Sequence, residues 1–238
     1  RIIGVFGNNV KLIKYDYATS ALLGTDGNYQ GTGTPNSSYY KGSLTTINTY
    51  YWNNSTKKNT WSESLLNKTN LNTNFINNIG TEWANKIATT TWKVGGNTYA
   101  NIASVVPSVA YQNEIVNPVT TNTTDNATEY SAKIGLMYVS DYGFGAGPSA
   151  WTTTLYNYDG GVNGSTIRSL NWMHMGYYDW TLSRLADNSD SAFRVYDDGH
   201  VSHNRVYLHD AVRPSFNLES SITYVSGDGT QNSPIIIN

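Results

Sequence analysis

The chain has no cysteine among its 238 residues. A disulfide framework, a thiolate metal site and a thiol nucleophile are therefore excluded. Charge is scarce as well: Asp, Glu, Lys and Arg make up 13 % of the residues, and the net charge is −2. No cluster of Lys and Arg reaches the density that tracking a phosphate backbone requires, so nucleic acid is not an expected partner. Long apolar runs are missing too. Nothing approaches the roughly 18 consecutive apolar residues that would be read as a membrane-spanning helix. What remains is a polarity carried by neutral groups, with Asn, Thr, Ser, Gly and 19 Tyr dominating. A single domain of this length buries roughly 70 to 75 % of its unfolded surface, enough for a core without covalent staples. The composition suits a secreted or surface protein, so the expected location is extracellular or on the cell surface. Arg1 is not an initiator residue, and Ile2-Ile3-Gly4-Val5-Phe6 enters a strand at once. The expectation is one domain over residues 1–238, preceded by a segment that was removed or omitted.

Between Asn171 and Arg213 the vocabulary changes. Every cation there is Arg (Arg184, Arg194, Arg205, Arg213), every anion is Asp, and all four His fall inside the stretch. Guanidinium forks, short carboxylates, imidazoles and tyrosines offer many directed hydrogen bonds at low entropic cost, as recognition surfaces do. The candidate ligand contacts are Tyr177, Tyr178, Arg184, Asp187, Tyr196, Asp198, His200, His203, Arg205, Tyr207 and His209. Tyr and Arg are the expected anchors, and the others adjustable hydrogen-bond partners. The competing reading is that Arg and Asp pair with each other to brace loops. Arg213, just before Pro214, is assigned to that role, as a buried bracing cation.

Apolar runs at 2–6 and 10–13 flank Gly7-Asn8-Asn9 and predict a hairpin. Residues 24–60 read as a long ordered loop with short strands. Ser62 is placed as the N-cap of a helix over Leu65 and Leu66, a second short helix carries Phe75, Ile76 and Ile79, and a third starts at Thr81. From Lys133 onward, short strands are predicted at 134–139, 180–183, 193–196, 205–208, 212–218 and 222–225, with a further strand residue at Val201. The expected class is therefore α+β, with helices in the first half and a twisted, mainly antiparallel sheet with long loops in the second. Asp198-Gly199 marks a two-residue hairpin turn. Alternation then turns Val195 and Val201 inward and Arg194, Tyr196, His200 and Ser202 outward.

Enzymatic chemistry finds little support. His200 and His203 are three apart on a strand and face opposite sides, so no metal is expected there. Ser183, Ser202 and Ser215 have His and Asp nearby in sequence, but no Gly-x-Ser-x-Gly elbow frames them. Asp197 and Asp198 are adjacent and diverge, which does not set the carboxylate spacing that glycoside hydrolysis needs. No cofactor is expected. Asp125, Asp141 and Asp228 lie in Gly- or Asn-rich loops that offer oxygen ligands for a structural calcium, although none belongs to a spaced calcium loop. Asp228-Gly229 reads as a turn. Trp61, Trp83 and Trp92 are expected to pack, each indole N–H finding an acceptor. The loop between Trp172 and Trp180 divides between structural and contact roles.

The runs Trp61-Ser62-Glu63-Ser64-Leu65-Leu66-Asn67, Gly135-Leu136-Met137-Tyr138-Val139-Ser140-Asp141-Tyr142-Gly143, Trp180-Thr181-Leu182-Ser183 and Ala211-Val212-Arg213-Pro214-Ser215-Phe216-Asn217-Leu218 occur in that order. With the tail 226–234, they make the chain resemble an uncharacterised family of bacterial C-type-lectin-like domains. The resemblance implies a C-type-lectin-type fold, in the branch that also holds formylglycine-generating enzymes and retroelement variable proteins. It also implies a secreted, cell-wall or pilin-like context, with the segment before the Val-Arg-Pro strand on the ligand-facing side. The Glu-Pro-Asn, Gln-Pro-Asp and Trp-Asn-Asp triplets of calcium-dependent sugar binding are absent, as are the paired cysteines of formylglycine-generating enzymes. Asn codons mutated at adenines yield Asp, Tyr, His, Ser, Gly and Arg, the set enriched from Tyr177 to Asp210, so a sequence-variable face is one implication. The expected function is non-enzymatic: an adhesin- or receptor-like binding domain of a bacterial or phage surface protein, facing a protein or glycan on another cell or surface. The alternatives are a pilin-like filament subunit that self-associates and a degenerate relative of formylglycine-generating enzymes.

Overall fold

The strand Asp179–Leu185 is buried at all seven positions, and the molecule is organised around it. Its alternate side chains enter two different cores. Trp180 and Leu182 join Trp52, Trp61, Leu136 and Ala192 on one side. Leu185 joins Phe193, Val195, Val201 and Tyr142 on the other. The computed structural model describes residues 1–36, 38–119, 128–158 and 164–238. Among these, Asp179–Leu185 pairs antiparallel with Ser191–Val195, which pairs with Val201–Arg205, while the short strand Gly96–Asn97 lies parallel on its other edge.

A second four-stranded sheet is antiparallel throughout, in the order Ile2–Phe6, Asn9–Ile13, Pro214–Asn217, Ile134–Leu136. The predicted N-terminal hairpin is thus formed. Tyr29–Gly33 and Ile47–Tyr51 pair within the 24–60 stretch and carry His209–Asp210 on their edge, so that stretch is an ordered loop with strands, as read. The ribbons Thr90–Lys93 with Glu129–Ala132 and Tyr224–Ser226 with Ile236–Ile237 complete the sheets described.

The architecture is mixed α/β with mostly antiparallel sheets, but the expected division into a helical first half and a stranded second half is overturned. Helices Val139–Phe144 and Gly164–Leu170 lie in the second half, and strands such as Tyr29–Gly33, Ile47–Tyr51 and Thr90–Lys93 lie in the first. The run 134–139, read as one strand, breaks after Leu136. Asp141 Oδ2 accepts the Tyr138 N–H at 2.8 Å, and this side-chain cap starts a helix where apolar periodicity alone continues a strand. The run 205–208 turns at Val206-Tyr207 instead of extending. Ser62 lies inside a short 3-10 turn, Trp61–Glu63, and Ser64 takes the capping role, accepting the Asn67 N–H at 3.3 Å. Beyond it the chain winds as a π-helix over Leu66–Phe75 and continues into Ile76–Asn78, one helical segment in place of the two expected. Asn72 Nδ2 and Thr73 Oγ1 donate to carbonyls five residues back, at 3.0 and 2.9 Å, which matches the wider turn. Trp61 and Trp92 are buried as expected, but only Trp92 Nε1 finds its acceptor, the Ala132 carbonyl at 3.1 Å, while Trp61 Nε1 has none among the described residues; Trp83, on the helix Thr81–Lys86, is 43 % exposed.

Two buried ion pairs tie distant parts of the chain together. Arg213 Nε donates to Asp179 Oδ2 at 2.6 Å, and its NH2 donates to the Met173 carbonyl at 2.6 Å, the bracing role assigned from sequence. Lys11 Nζ meets Asp141 Oδ2 at 2.5 Å. Asp141 is thereby engaged as a cap and an ion-pair partner. Glu114, fully buried and not singled out from sequence, accepts the Ser140 N–H at 3.0 Å and the Ser183 hydroxyl. Ser183 Oγ in turn accepts the Val139 N–H at 3.1 Å, so the first turn of Val139–Phe144 is capped by groups from elsewhere in the chain.

Two predictions follow from these buried groups. Burial pushes the Glu114 carboxyl from about 4.5 up to about 7, outweighing the hydrogen bonds from Ser140 and Ser183. The folded state therefore holds a proton that the unfolded state has lost between those values. Its contribution to stability is complete below pH 4.5 and is lost as pH rises to about 7. The Glu114→Gln variant should gain stability relative to the parent across that window, by an amount on the order of 1 to 3 kcal/mol, and hold the gain above it. Urea midpoints of both proteins from pH 4.5 to 8 measure the difference, in which the opposing titration of His174 cancels. Arg213→Met should cost about 3 to 5 kcal/mol, because it leaves Asp179 buried without its cation. Adding Asp179→Leu should restore much of that loss in the same unfolding experiment.

Candidate functional site

The segment that leads into Asp179–Leu185 is pinned from beneath and emerges with two tyrosines. Met173, His174 and Met175 are buried. At Gly176 the chain takes φ = 84°, and a Cβ there would lie 2.0 Å from the Tyr39 carbonyl oxygen, so only glycine fits the crossing. The Lys41 N–H donates to the Met175 carbonyl at 3.0 Å, and the Tyr17 hydroxyl bridges the Tyr177 backbone, donating to its carbonyl at 2.9 Å and accepting its N–H at 3.1 Å. Tyr177 and Tyr178 then reach the surface half-buried.

The hairpin beside them forms as its alternation predicts. Val195 pairs with Val201 and both are buried, while Arg194, Tyr196, His200 and Ser202 face outward, half-buried. The turn is one residue longer than an Asp-Gly pair. The Tyr196 N–H donates to the His200 carbonyl at 2.9 Å and closes a loop of Asp197, Asp198 and Gly199, the last at φ = 104°.

These two elements build a continuous ladder of rings. Tyr40 stacks on Tyr17 at 6.1 Å, and edge contacts follow from Tyr17 to Tyr177 (6.2 Å), Tyr177 to Tyr178 (5.7 Å) and Tyr178 to Tyr196 (5.3 Å). Tyr196 stacks on His200 at 4.0 Å and 24°, and His200 meets Tyr156 edge-on at 5.6 Å. The Arg194 guanidinium lies 4.3 Å from the Tyr178 ring centre and 4.1 Å from that of Tyr196, and its NH1 is held 2.7 Å from Oδ1 of buried Asp210. Such contacts contribute about 0.5 to 2 kcal/mol each when partly desolvated.

Polar groups rim the ladder. His200 Nδ1 lies 2.7 Å from Asp198 Oδ1. Burial opposes ionisation of Asp198, but the hydrogen bonds from His200 outweigh it and hold the carboxyl below its ordinary range. Arg168 stacks on Tyr39 at 4.7 Å and donates to the Asp198 carbonyl at 2.9 Å, and Asn36 donates to the Asp197 carboxylate at 3.3 Å. Burial pushes His174 down to about 4, so it is neutral at neutral pH, with Nε2–H donating to the Asp197 carbonyl at 2.8 Å.

Of the eleven residues proposed from sequence, Tyr177, Tyr178, Tyr196, Asp198 and His200 come together here. Arg184 does not. It is 1 % exposed, because the strand that carries it is covered on both faces and alternation gives it no solvent side. Burial pushes its pKa down to about 10, and its guanidinium makes no hydrogen bond with any described residue. The others gather at the far end of the hairpin, where Ser191 pairs with Arg205. Arg205 is exposed and lies 3.7 Å from Asp190, with Tyr207 against it. His203 meets Tyr99 edge-on at 4.8 Å, and exposed Asp187 accepts the Tyr99 N–H at 3.0 Å. His209 lies against Tyr51 on the neighbouring sheet. A cavity of about 270 Å³ opens there between Asn188, Asp190, His203, Asn204 and Arg205. Tyr196 and Arg205 thus belong to separate places.

Sequence reasoning turned Arg194 outward but did not count it as a contact. It missed Tyr17, Tyr39, Tyr40, Tyr156 and Arg168, which no local pattern ties to the hairpin. It also missed a groove of about 1100 Å³ between the sheet face of Ile2, Val10 and Leu12, the helix carrying Trp83, and the C-terminal ribbon with Ile235 and Ile236. Among the described residues, no three His, Asp or Glu converge as a metal site. Asp228 closes a turn by accepting the Thr230 N–H at 2.9 Å, and Asp125 lies outside the described residues. No helix of the described residues is long and apolar enough to cross a membrane. Comparison of the chain with protein-family models, with curated proteins and with solved structures gives no match.

Proposed function

We propose that the chain is a non-enzymatic binding domain displayed on a bacterial or phage surface, with a C-type-lectin-like fold, whose ligand lies on the Tyr177, Tyr178, Tyr196 and His200 platform. The observation that supports this reading is the ring ladder with Arg194 held between Tyr178 and Tyr196. Rings already locked against one another lose little entropy when a ligand covers them, and a cation fixed behind them polarises the contact. The rim of Asp197, Asp198 and Asn36 offers both acceptors and donors. Flat apolar rings edged with such groups suit a glycan or a polar peptide on another cell or surface. In this reading Asp198 and His200 set the shape of the rim, and Arg205, His203, Tyr207 and His209 contribute only if the ligand spans the whole hairpin.

The groove beside the N-terminal hairpin favours a second reading, a filament subunit. Of the residues that line it, Ile2 is 50 % exposed and Tyr224 64 %, and apolar surface of this kind marks association. Electron microscopy of purified protein separates the two readings: ordered polymers favour subunit packing, and dispersed particles favour the platform.

The direct test uses a glycan array together with intact bacterial and eukaryotic cells as binding targets. The Tyr178→Ala/Tyr196→Ala double variant should lose at least about tenfold in binding, as expected when two aromatic anchors are truncated. Its thermal midpoint should fall by no more than the roughly 5 to 10 °C that the lost ring and cation contacts account for, with a cooperative unfolding transition retained. Binding that survives the double variant would overturn the assignment of the platform.

A further inference from the structure

The geometry points to a covalent bond between Lys11 and Asp141: we propose that the Lys11 amine and the Asp141 carboxyl condense in the folded chain to form an intramolecular isopeptide bond. The two groups are 130 positions apart in sequence, 5 % and 4 % exposed, and in contact at 2.5 Å, inside the roughly 2.7 to 2.9 Å of an ordinary charged N–H···O contact. Lys11 Nζ is enclosed by aromatic rings, with Tyr138 at 4.3 Å, Trp92 at 5.4 Å and Phe6 at 5.6 Å. Water is thereby kept from the reacting atoms. The same oxygen, Asp141 Oδ2, also accepts the Tyr138 N–H at 2.8 Å, which holds the carboxyl against the amine.

The step balances within the pair. A proton passes from the ammonium to the carboxylate and leaves a neutral amine facing a neutral acid. Nζ then bonds to Cγ, one Cγ–O bond breaks, and that oxygen departs as water with the acid proton and one amine proton. No oxidant or outside reagent is needed. Two effects drive the reaction forward. Fixed neighbours react at effective molarities of about 10⁵ to 10⁸ M, and a neutral amide removes two charges that are costly to keep in a dry interior. Glu114 is the positioning residue. Its carboxyl accepts the N–H of Ser140, the residue next to Asp141, and so fixes the backbone that carries the reacting carboxyl.

The test is the intact mass of the purified protein under denaturing conditions. A mass below the calculated value by one water, together with a proteolytic fragment joining the peptides of Lys11 and Asp141, is the expected result. Lys11→Arg keeps the charge pair, and so the fold, and should restore the full calculated mass. Glu114→Ala, which removes the acceptor for the Ser140 N–H, should form the bond more slowly or not at all, whereas Glu114→Gln keeps that acceptor and should still form it. The full calculated mass in the parent protein, or a water loss mapped to other residues, would overturn the proposal. A Glu114→Ala variant that folds and forms the bond at the parental rate would overturn the role given to Glu114.

Discussion

The buried contact between Arg213 and Asp179 ties the interior of this protein to its surface. Asp179 begins the strand that both cores share, and the two residues before it are Tyr177 and Tyr178. The same guanidinium holds the Met173 carbonyl, so the beginning of the loop and the beginning of the strand are fastened to one group. A parallel bridge between Asp179 and Ala211 closes the arrangement, with the Ala211 N–H donating to the Tyr178 carbonyl at 2.9 Å. Burying two ions has a desolvation cost that their attraction alone need not offset. The arrangement is better understood as a device for geometry: once both ions are inside, the loop has one position that leaves neither unpaired.

The same logic recurs at lower burial on the surface. Arg194 is held by buried Asp210 and then flanked by Tyr178 and Tyr196, so the outer face is assembled on a charge whose location is fixed from within. A chain with 13 % charged residues places several of its ions where they organise backbone, and leaves solubility to Asn, Thr and Ser. Short elements follow naturally. Asn59 reaches the carbonyls of Leu185, Asn188 and Ser191, and Asn70 those of Leu23 and Asp26, so side-chain amides satisfy backbone that longer helices and strands would satisfy themselves.

This explains what the sequence could and could not reveal. Hairpins were legible because their signals are local: Gly7-Asn8 and Asp198-Gly199 fix turns through backbone preference, and the inward pairing of Val195 with Val201 follows from a period of two. Arg213 was legible as a brace because a cation embedded in an apolar strand before proline has few other uses. Arg184 was misread because alternation identifies a solvent face only when a strand has one, and Asp179–Leu185 is covered on both sides. The helix at Val139 was misread because Asp141 acts through a cap, and a cap is stronger than an apolar period over six residues. Three of the seven rings in the ladder were invisible for a different reason. Tyr17, Tyr40 and Tyr156 lie far from the hairpin in sequence, and 19 tyrosines give no basis for selecting three.

Burial also separates groups that composition had merged. The enriched stretch from Asn171 to Arg213 looked like one face, but the hairpin that carries most of it has two ends about four residue pairs apart, or roughly 13 Å at the rise of a strand. Tyr196 and His200 form the tip beside Tyr178, whereas Arg205 and Asp190 form the base beside a cavity. A ligand of monosaccharide size touches one end only, and an extended one is needed to engage both. The distance between the ends therefore turns a question of composition into one of ligand length. A graded response to oligomer length would mean that the base participates, and a flat response would mean that the tip acts alone.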